Sequence, residues 1–340
     1  MQSTGLKVTD LARRFADEVL VPGAMETERN GRIPSAQLDA LAAMGFYGLT
    51  GPSEYGGIGA DPATSHLVLE ILASGCLSTS FVLLQHAGAV RSIAGYGNEK
   101  IRDRWLRPLC AGERRAGLAL AGAVPGPPML RAMPITGGYV FDGFSPWVTG
   151  WGMIDTLYTA ARDEDDNVIW ALLDADADEL SVEPLELAAV MASRTVQAYW
   201  QKMFVPSDRI VHQMRLTEWQ QVDAGSLRSN GSLALGVAAR CCTLIGPSPL
   251  DDELVRARER LDTATPRAMP DARAAASELA MRAATALVVA KGSSSVLSGS
   301  DPQRLAREAM FLLVFGSRPA IKASLYSRLA SGDIDGQRAC

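Results

Sequence analysis

From Leu6 to about Ala111, apolar positions recur every three or four residues, the period that lays one apolar stripe along an α-helix. The stretches LKVTDLARRFADEVLVPGA, AQLDALAAMGFYG, ATSHLVLEILASG, TSFVLLQHAGAVRSIAGYG and EKIRDRWLRPLCAG each carry it. Pro22-Gly23, Gly45, the GPSEYGGIGADP loop, Gly75 and Gly97 read as stops, and Thr9, Ser35, Asp61 and Asn98 as N-caps. The pattern predicts a bundle of about five helices.

Between Gly117 and Ile210 the texture changes to short apolar runs rich in β-branched and aromatic residues and separated by Gly, Pro and Asp. GGYVFDG, DTLYTAAR, NVIWALLDAD, LSVEPLE and QAYWQKMFVP read as strands, the last stopped by Pro206, which has no N–H to give a ladder. After about Arg215 the helical period returns in GSLRSNGSLALGVAARCCTLIG, LDDELVRARERLDTA, ARAAASELAMRAATALVVAKG, DPQRLAREAMFLLVFG and RPAIKASLYSRLA. The alanines there allow helices to approach closely. Helices, then strands, then helices describe an α+β chain and exclude a doubly wound fold, which alternates strand and helix throughout. The expected domains are 1–113 helical, 114–213 β, 214–330 a C-terminal bundle, and 331–340 a frayed tail.

Composition narrows the function classes. A length of 340 residues with 47% hydrophobic and 21% charged content is ordinary globular usage. A formal net charge of -5 gives no broad positive field, so nucleic acid is not an expected partner. The five cysteines, Cys76, Cys110, Cys241, Cys242 and Cys340, make no CxxC pair and no zinc spacing with histidine, so no metal site is expected. Met1 to Asn30 lacks a secretory signal and no 18-residue apolar run exists, so the expectation is a cytoplasmic protein with no membrane association.

Five segments then carry a resemblance. LAAMGFYGLTGPSEYGGIGAD is similar to a leucine-rich helix entering a PxEYGGxG loop, here Pro52, Glu54, Tyr55, Gly56, Gly57 and Gly59. YGNEKIRDRWLRPLCAGERRAGLAL is similar to GxxEQxxxYLPxLxxGE leading into a first strand, and GGYVFDGFSPWVTGWGMIDTLYTAAR to GYxLNGxKxWITNxxxAD. SRTVQAYWQKMFVPSDRIV is similar to SxTxxVxFxxVxVPxxxxL, and RLAREA to RxxRDA. In this order and spacing, nearly the whole chain resembles the acyl-CoA dehydrogenase family. The resemblance implies an N-terminal helical domain, a middle β-barrel or sandwich domain and a C-terminal four-helix bundle. It also implies FAD as cofactor, an acyl-CoA or acyl-carrier thioester as substrate, and assembly into a homo-oligomer or heteromer through the bundle. Carried over, Trp147 packs on the flavin ring and the Thr149 hydroxyl meets the ring nitrogen that accepts hydride.

The chain departs from that pattern in three places. Where the family has TEPxxGSD, LALAGAVPGPPML puts Ala121 and Gly122 for Thr and Glu, and Pro127 and Pro128 for Ser and Asp. The backbone of Leu118, Leu120 and Ala121 can still meet the flavin edge, and Gly126 still permits close approach. The arginine of the family's RxxFG motif has no counterpart in GVAARCCTLIGPSPLDDEL, and Arg240 precedes the gap. The usual base position, a Glu shortly before RxxRDA, falls on Gly299. Asp301, which reads as an N-cap before Pro302, and Asp223, on the earlier bundle helix, are the candidates for that base. Glu278 and Glu308 read as solvated or paired, His66 and His86 as structural, and His212 as lying in the exit loop of the β-domain.

Three readings stay open: an acyl-CoA dehydrogenase-like flavoprotein oxidising a thioester at its α and β carbons, a non-catalytic or half-site subunit paired with a complete homologue, and a flavin-dependent monooxygenase on the same fold.

Overall fold

A computed structural model of the protein describes residues 2–330, with side chains from residue 7 onward. The predicted tail over 331–340, with Cys340, lies outside the described residues. The chain forms two compact units, one ending at Asp223 and one starting at Ala224.

The first unit opens with helices α1 (Gln2–Phe15), α2 (Val21–Asn30), α3 (Ser35–Ala43), α4 (Pro62–Gly75), α5 (Leu77–Tyr96) and α6 (Glu99–Ala111). Pro22-Gly23 does not stop the chain, contrary to the sequence reading: α1 runs through a wider π-type turn, Ala16–Leu20, straight into α2. Pro22 falls in the first turn of α2, where its missing N–H costs nothing, and the π turn resets the hydrogen-bond register ahead of it. Thr9 is buried inside α1 rather than capping it. Ser35 is the first helical residue after Pro34 and makes no cap bond. Asp61 and Asn98 do cap, accepting from the Thr64 N–H at 2.9 Å and the Ile101 N–H at 3.0 Å.

Eight strands follow: β1 (Ala116–Ala119), β2 (Leu130–Ile135), β3 (Gly138–Val148), β4 (Thr156–Arg162), β5 (Asn167–Asp174), β6 (Leu180–Pro184), β7 (Val196–Pro206) and β8 (Ile210–Arg215). They form one mixed sheet in the order β6-β7-β3-β2-β4-β5-β8, with β1 added parallel to β4. His212 therefore lies within a strand, β8, and not in an exit loop; it pairs with Trp170 of β5. The continuous apolar runs of β4 and β5 are explained by burial on both faces. Tyr158, Ala160, Val168 and Trp170 join a core with Val90 and Ile93 of α5 and Trp105 of α6. Leu157, Ala161, Ile169 and Ala171 point the other way, into a core with Phe141, Trp200 and Met203.

His86 of α5 pins β1 to the helices. The Ala116 N–H donates to its Nδ1 at 3.0 Å, which leaves the hydrogen on Nε2, 3.2 Å from the Leu109 carbonyl that accepts it. Tyr47 meets the ring edge-on at 4.9 Å. Burial pushes the imidazole pKa down to about 4.

α7 (Leu216–Ile245) crosses the division between the units, and the second unit continues with α8 (Pro249–Thr263), α9 (Met269–Lys291), α10 (Asp301–Val314) and α11 (Pro319–Ala330). The small residues are used as expected for close packing: Ala272, Ala276, Ala280, Ala283 and Ala284 of α9 are buried, and a Cβ on Gly231 of α7 would come within 2.7 Å of Leu261. Arg273 is fully buried, and its guanidinium donates to the Ser277 hydroxyl and the Leu312 carbonyl in the last turn of α10, where the helix dipole is negative. Glu308 is buried against Arg304 at 2.7 Å, and Glu278 pairs with Arg282.

Candidate functional site

The strained backbone of the described residues gathers in one place. Five non-glycine residues have positive φ, and three of them, Trp147 (65°), Val190 (52°) and Arg194 (47°), lie on two facing segments of the first unit. L side chains avoid this region, Val and Trp most of all, so the surrounding structure must hold them there. Trp147 sits where β3 slips register against β7, between the Ser145–Ala198 and Val148–Val196 pairs. Its indole is 60% exposed. Exposure of a large ring on a strained backbone is what a stacking platform for a ligand requires.

Beyond Trp147 the two segments are zipped together. The Gly150 N–H donates to the Ser193 carbonyl at 2.8 Å, the Trp151 N–H to the Arg194 carbonyl at 3.2 Å, and Arg194 Nε to the Trp151 carbonyl at 3.0 Å. Inside this zip lies a row of buried hydroxyls: Ser193 Oγ is 2.9 Å from Thr195 Oγ1, which is 3.3 Å from Thr149 Oγ1. Three hydroxyls in a row spend two protons on each other and keep one, so one of the three retains a donor. Gly117 lets the row approach β1, because a Cβ there would come within 3.0 Å of the Thr149 carbonyl.

After β1 the chain turns through Leu120 to Pro128. Gly122 is wedged against β3: a Cβ would stand 2.6 Å from the Phe144 carbonyl oxygen and 2.9 Å from the Ser145 side chain. Its N–H donates to Ser145 Oγ at 3.0 Å, and Ser145 is the residue that begins the Pro146-Trp147 step. Thr149 and Ser145, on either side of Trp147, thus lie against Gly117 and Gly122, the glycines that flank Leu118, Leu120 and Ala121, and these three are half-buried. Gly126 is at the exposed tip of the turn, its carbonyl accepting from Arg162. Ser145, Ser193, Thr195 and Arg162 are the members that the sequence reading did not single out. Only the Ser and Thr of the SRT triplet left a signal there, as part of a quoted motif.

The candidate bases are on helices that follow the sheet. Asp301 starts α10, with Ser300 rather than Asp301 at the N-cap position, because the helical backbone already includes Asp301. Its carboxylate pairs with Arg304 at 3.0 Å. Asp223 is buried on α7. Gly299 is exposed, with open space where a side chain would begin. Trp151 lines a cleft of about 430 Å³ with Glu113, Arg114, Asp155 and Asp174. Among the described residues no group of three or more His, Cys, Asp or Glu can hold a metal, and no helix is long and apolar enough to cross a membrane. His212 shares a polar knot with Tyr158, 2.9 Å away, and Ser92, and is stacked between Tyr96 and Trp170.

Residues 4–113 match the acyl-CoA dehydrogenase N-terminal domain. A probable acyl-CoA dehydrogenase of Mycobacterium leprae is 29% identical over 209 residues, which cover 58% of this chain and 54% of that protein. The N-terminal third of the chain thus carries an acyl-CoA dehydrogenase N-terminal domain, and the chain is similar to acyl-CoA dehydrogenases. A second relative, the benzylmalonyl-CoA dehydrogenase of Aromatoleum aromaticum, is 27% identical over 247 residues, 68% of this chain and 64% of that one. The match thus spans between half and two thirds of these curated relatives. The acyl-CoA dehydrogenase fold extends further than the sequence match. Butyryl-CoA dehydrogenase of Megasphaera elsdenii superposes with a TM-score of 0.84 at 18% identity, covering 97% of this chain and 99% of that one. A glutaryl-CoA dehydrogenase of Mycobacterium smegmatis in complex with FADH2 gives 0.81 at 17% identity, covering 96% and 94%.

Proposed function

We propose that the chain is an acyl-CoA dehydrogenase-like flavoprotein that binds FAD against Trp147 and Thr149 and oxidises an acyl thioester at its α and β carbons. The observation that carries this reading is the exposed, strained Trp147 beside the buried Ser193–Thr195–Thr149 row. Relatives named for acyl-CoA and benzylmalonyl-CoA oxidation, and a fold neighbour solved with FADH2, support the cofactor and substrate class.

The residues present fit the ring half of a flavin better than its phosphate half. Trp147 offers an apolar face, and Thr149 offers a hydroxyl held in place by Thr195. With Ser193 donating to Thr195 and Thr195 to Thr149, the Thr149 hydrogen is left to donate outward. The bound flavin supplies the acceptor for hydride. From Ala121 to Pro128 no side chain can hydrogen-bond, so contacts there fall to the backbone of Leu118, Leu120, Ala121 and Gly126. Removal of the α-proton falls to Asp301 or Asp223, or to a carboxylate supplied by another chain.

That last possibility is the second reading, a half-site subunit, and the apolar 121–128 turn together with Gly299 favours it. Assembly belongs to both readings. Val289, Val296, Leu297, Met310 and Val314 of the second unit are all exposed, an apolar surface suited to a like subunit or a complete homologue in a cytoplasmic enzyme. The test is the absorbance spectrum of the purified chain. A flavin spectrum bleached by an acyl-CoA supports the enzyme reading. Flavin gained only on co-expression with a second dehydrogenase chain supports the half-site reading, and no flavin under either condition refutes both.

A further inference from the structure

The turn that follows β1 is bare of recognition groups. Ala121, Gly122, Ala123, Val124, Pro125, Gly126, Pro127 and Pro128 carry no polar side chain, and the prolines lack even an N–H. Its base is fixed well: Gly122 donates to Ser145, and the Met129 and Leu130 N–H groups donate to the Gly122 carbonyl at 2.7 and 2.9 Å. Its tip is not. From Pro125 to Pro128 one hydrogen bond to the rest of the protein is recorded among the described residues, from Arg162 to the Gly126 carbonyl at 3.0 Å.

Arg162 is the last residue of β4 and is 5% exposed. Its Nε meets no hydrogen-bond partner in good geometry but forms an ion pair at 3.3 Å with Asp166, an exposed residue of the β4–β5 turn. Arg131 of β2 is opposite it in register and exposed. A buried guanidinium is costly unless its donors are used, and its charge is felt strongly through a poorly solvated surrounding. Here one edge of it faces the exposed Asp166, and a terminal N–H is spent on one backbone carbonyl at the tip of the turn.

We infer that Arg162 is a positioning residue for the candidate cofactor site: by holding the Gly126 carbonyl it fixes the 121–128 turn and sets a buried positive charge behind it, for the phosphate-bearing half of a flavin nucleotide. This deepens the function proposed above and rests on it. It supplies, from behind the turn, the cationic element that the turn's own residues lack.

The experiment compares the full-length chain with Arg162→Met and Arg162→Lys, each titrated with FAD and with riboflavin, which has the ring but no phosphate, by flavin fluorescence. Backbone hydrogen exchange is followed in parallel over residues 121–130. In Arg162→Met the expected result is FAD affinity lower by about tenfold or more, riboflavin affinity unchanged within about twofold, and faster exchange over 121–130. Arg162→Lys, which keeps the charge and one donor, recovers part of the FAD affinity. Equal losses for FAD and riboflavin, or no loss of either, overturn the assignment. If the unaltered chain binds neither flavin, the proposed function fails by itself. Exchange over 121–130 then decides the tether alone: unchanged protection in Arg162→Met overturns it, and accelerated exchange confined to that segment supports it.

Discussion

The buried imidazole of His86 makes the stability of the first unit depend on pH in a calculable way. Its Nδ1 accepts from the Ala116 N–H, so a second proton has no lone pair to occupy without breaking that bond, and burial further disfavours the charge. The group titrates at 6.5 in an unfolded chain and at about 4 in the folded one. Above 6.5 both states are neutral and His86 contributes nothing to the pH dependence. As pH falls below 6.5 the unfolded state takes up a proton that the folded state refuses, so stability is lost progressively until the folded group also titrates near 4. At about 1.4 kcal/mol per pH unit the whole loss is about 3 kcal/mol, of which about 2 kcal/mol falls between pH 7 and pH 5.

All six tryptophans precede Asp223, so tryptophan fluorescence during urea unfolding reports the first unit. His86→Gln keeps a donor and an acceptor but does not titrate. It should be less stable at pH 8 yet lose about 2 kcal/mol less than the unaltered chain between pH 7 and pH 5. His212, also held down to about 4 by burial, is present in both proteins and cancels in the comparison. Parallel pH profiles for the two proteins would refute the tautomer and burial assigned to His86.

Four other outcomes follow. Trp147→Ala should weaken flavin binding while shifting urea unfolding by less than about 0.5 kcal/mol, because its ring is exposed; equal effects on both would make it a structural residue. Gly122→Ala should cost about 2 kcal/mol, since the added Cβ meets the Phe144 carbonyl and Ser145, and thermal unfolding near that of the unaltered chain would contradict the wedge. Glu308→Leu should cost about 2 kcal/mol, because the buried Arg304 loses its buried carboxylate and keeps the half-exposed Asp301, and the double change with Arg304→Met should recover most of that, as read from circular-dichroism melts of both variants. Thr195→Val should weaken flavin binding through Thr149, which loses its partner, while Ser193→Ala should weaken it less.

Periodicity revealed most of the fold because most elements bury a regular stripe. β3 to β7 coincide with the five apolar runs, and the helical stretches with α3 to α11. β1, β2 and β8 left weaker marks for physical reasons. β1 is four residues, Ala-Gly-Leu-Ala, with no β-branched side chain; β2 contains Pro134; β8 buries Val211 alone among half-exposed and exposed residues. Pro22-Gly23 misled because a π turn, which has no sequence period of its own, absorbed the break. Within the candidate site, Trp147 and Thr149 were legible as neighbours in one short segment. Ser145 and Arg162 were not, because what distinguishes them is a bond to a backbone 23 and 36 residues away. His86 and His212 look alike in the sequence, and only the partners around each ring separate a fixed tautomer from a stacked one.

The left-handed backbones at Trp147, Val190 and Arg194 also carry a cost in stability. Each of these residues is one nucleotide change from glycine, the residue that adopts such a backbone without strain. A single base change at any of the three would therefore relieve the local strain. Bulky side chains at three such positions on facing segments therefore hold a store of backbone strain beside the candidate site.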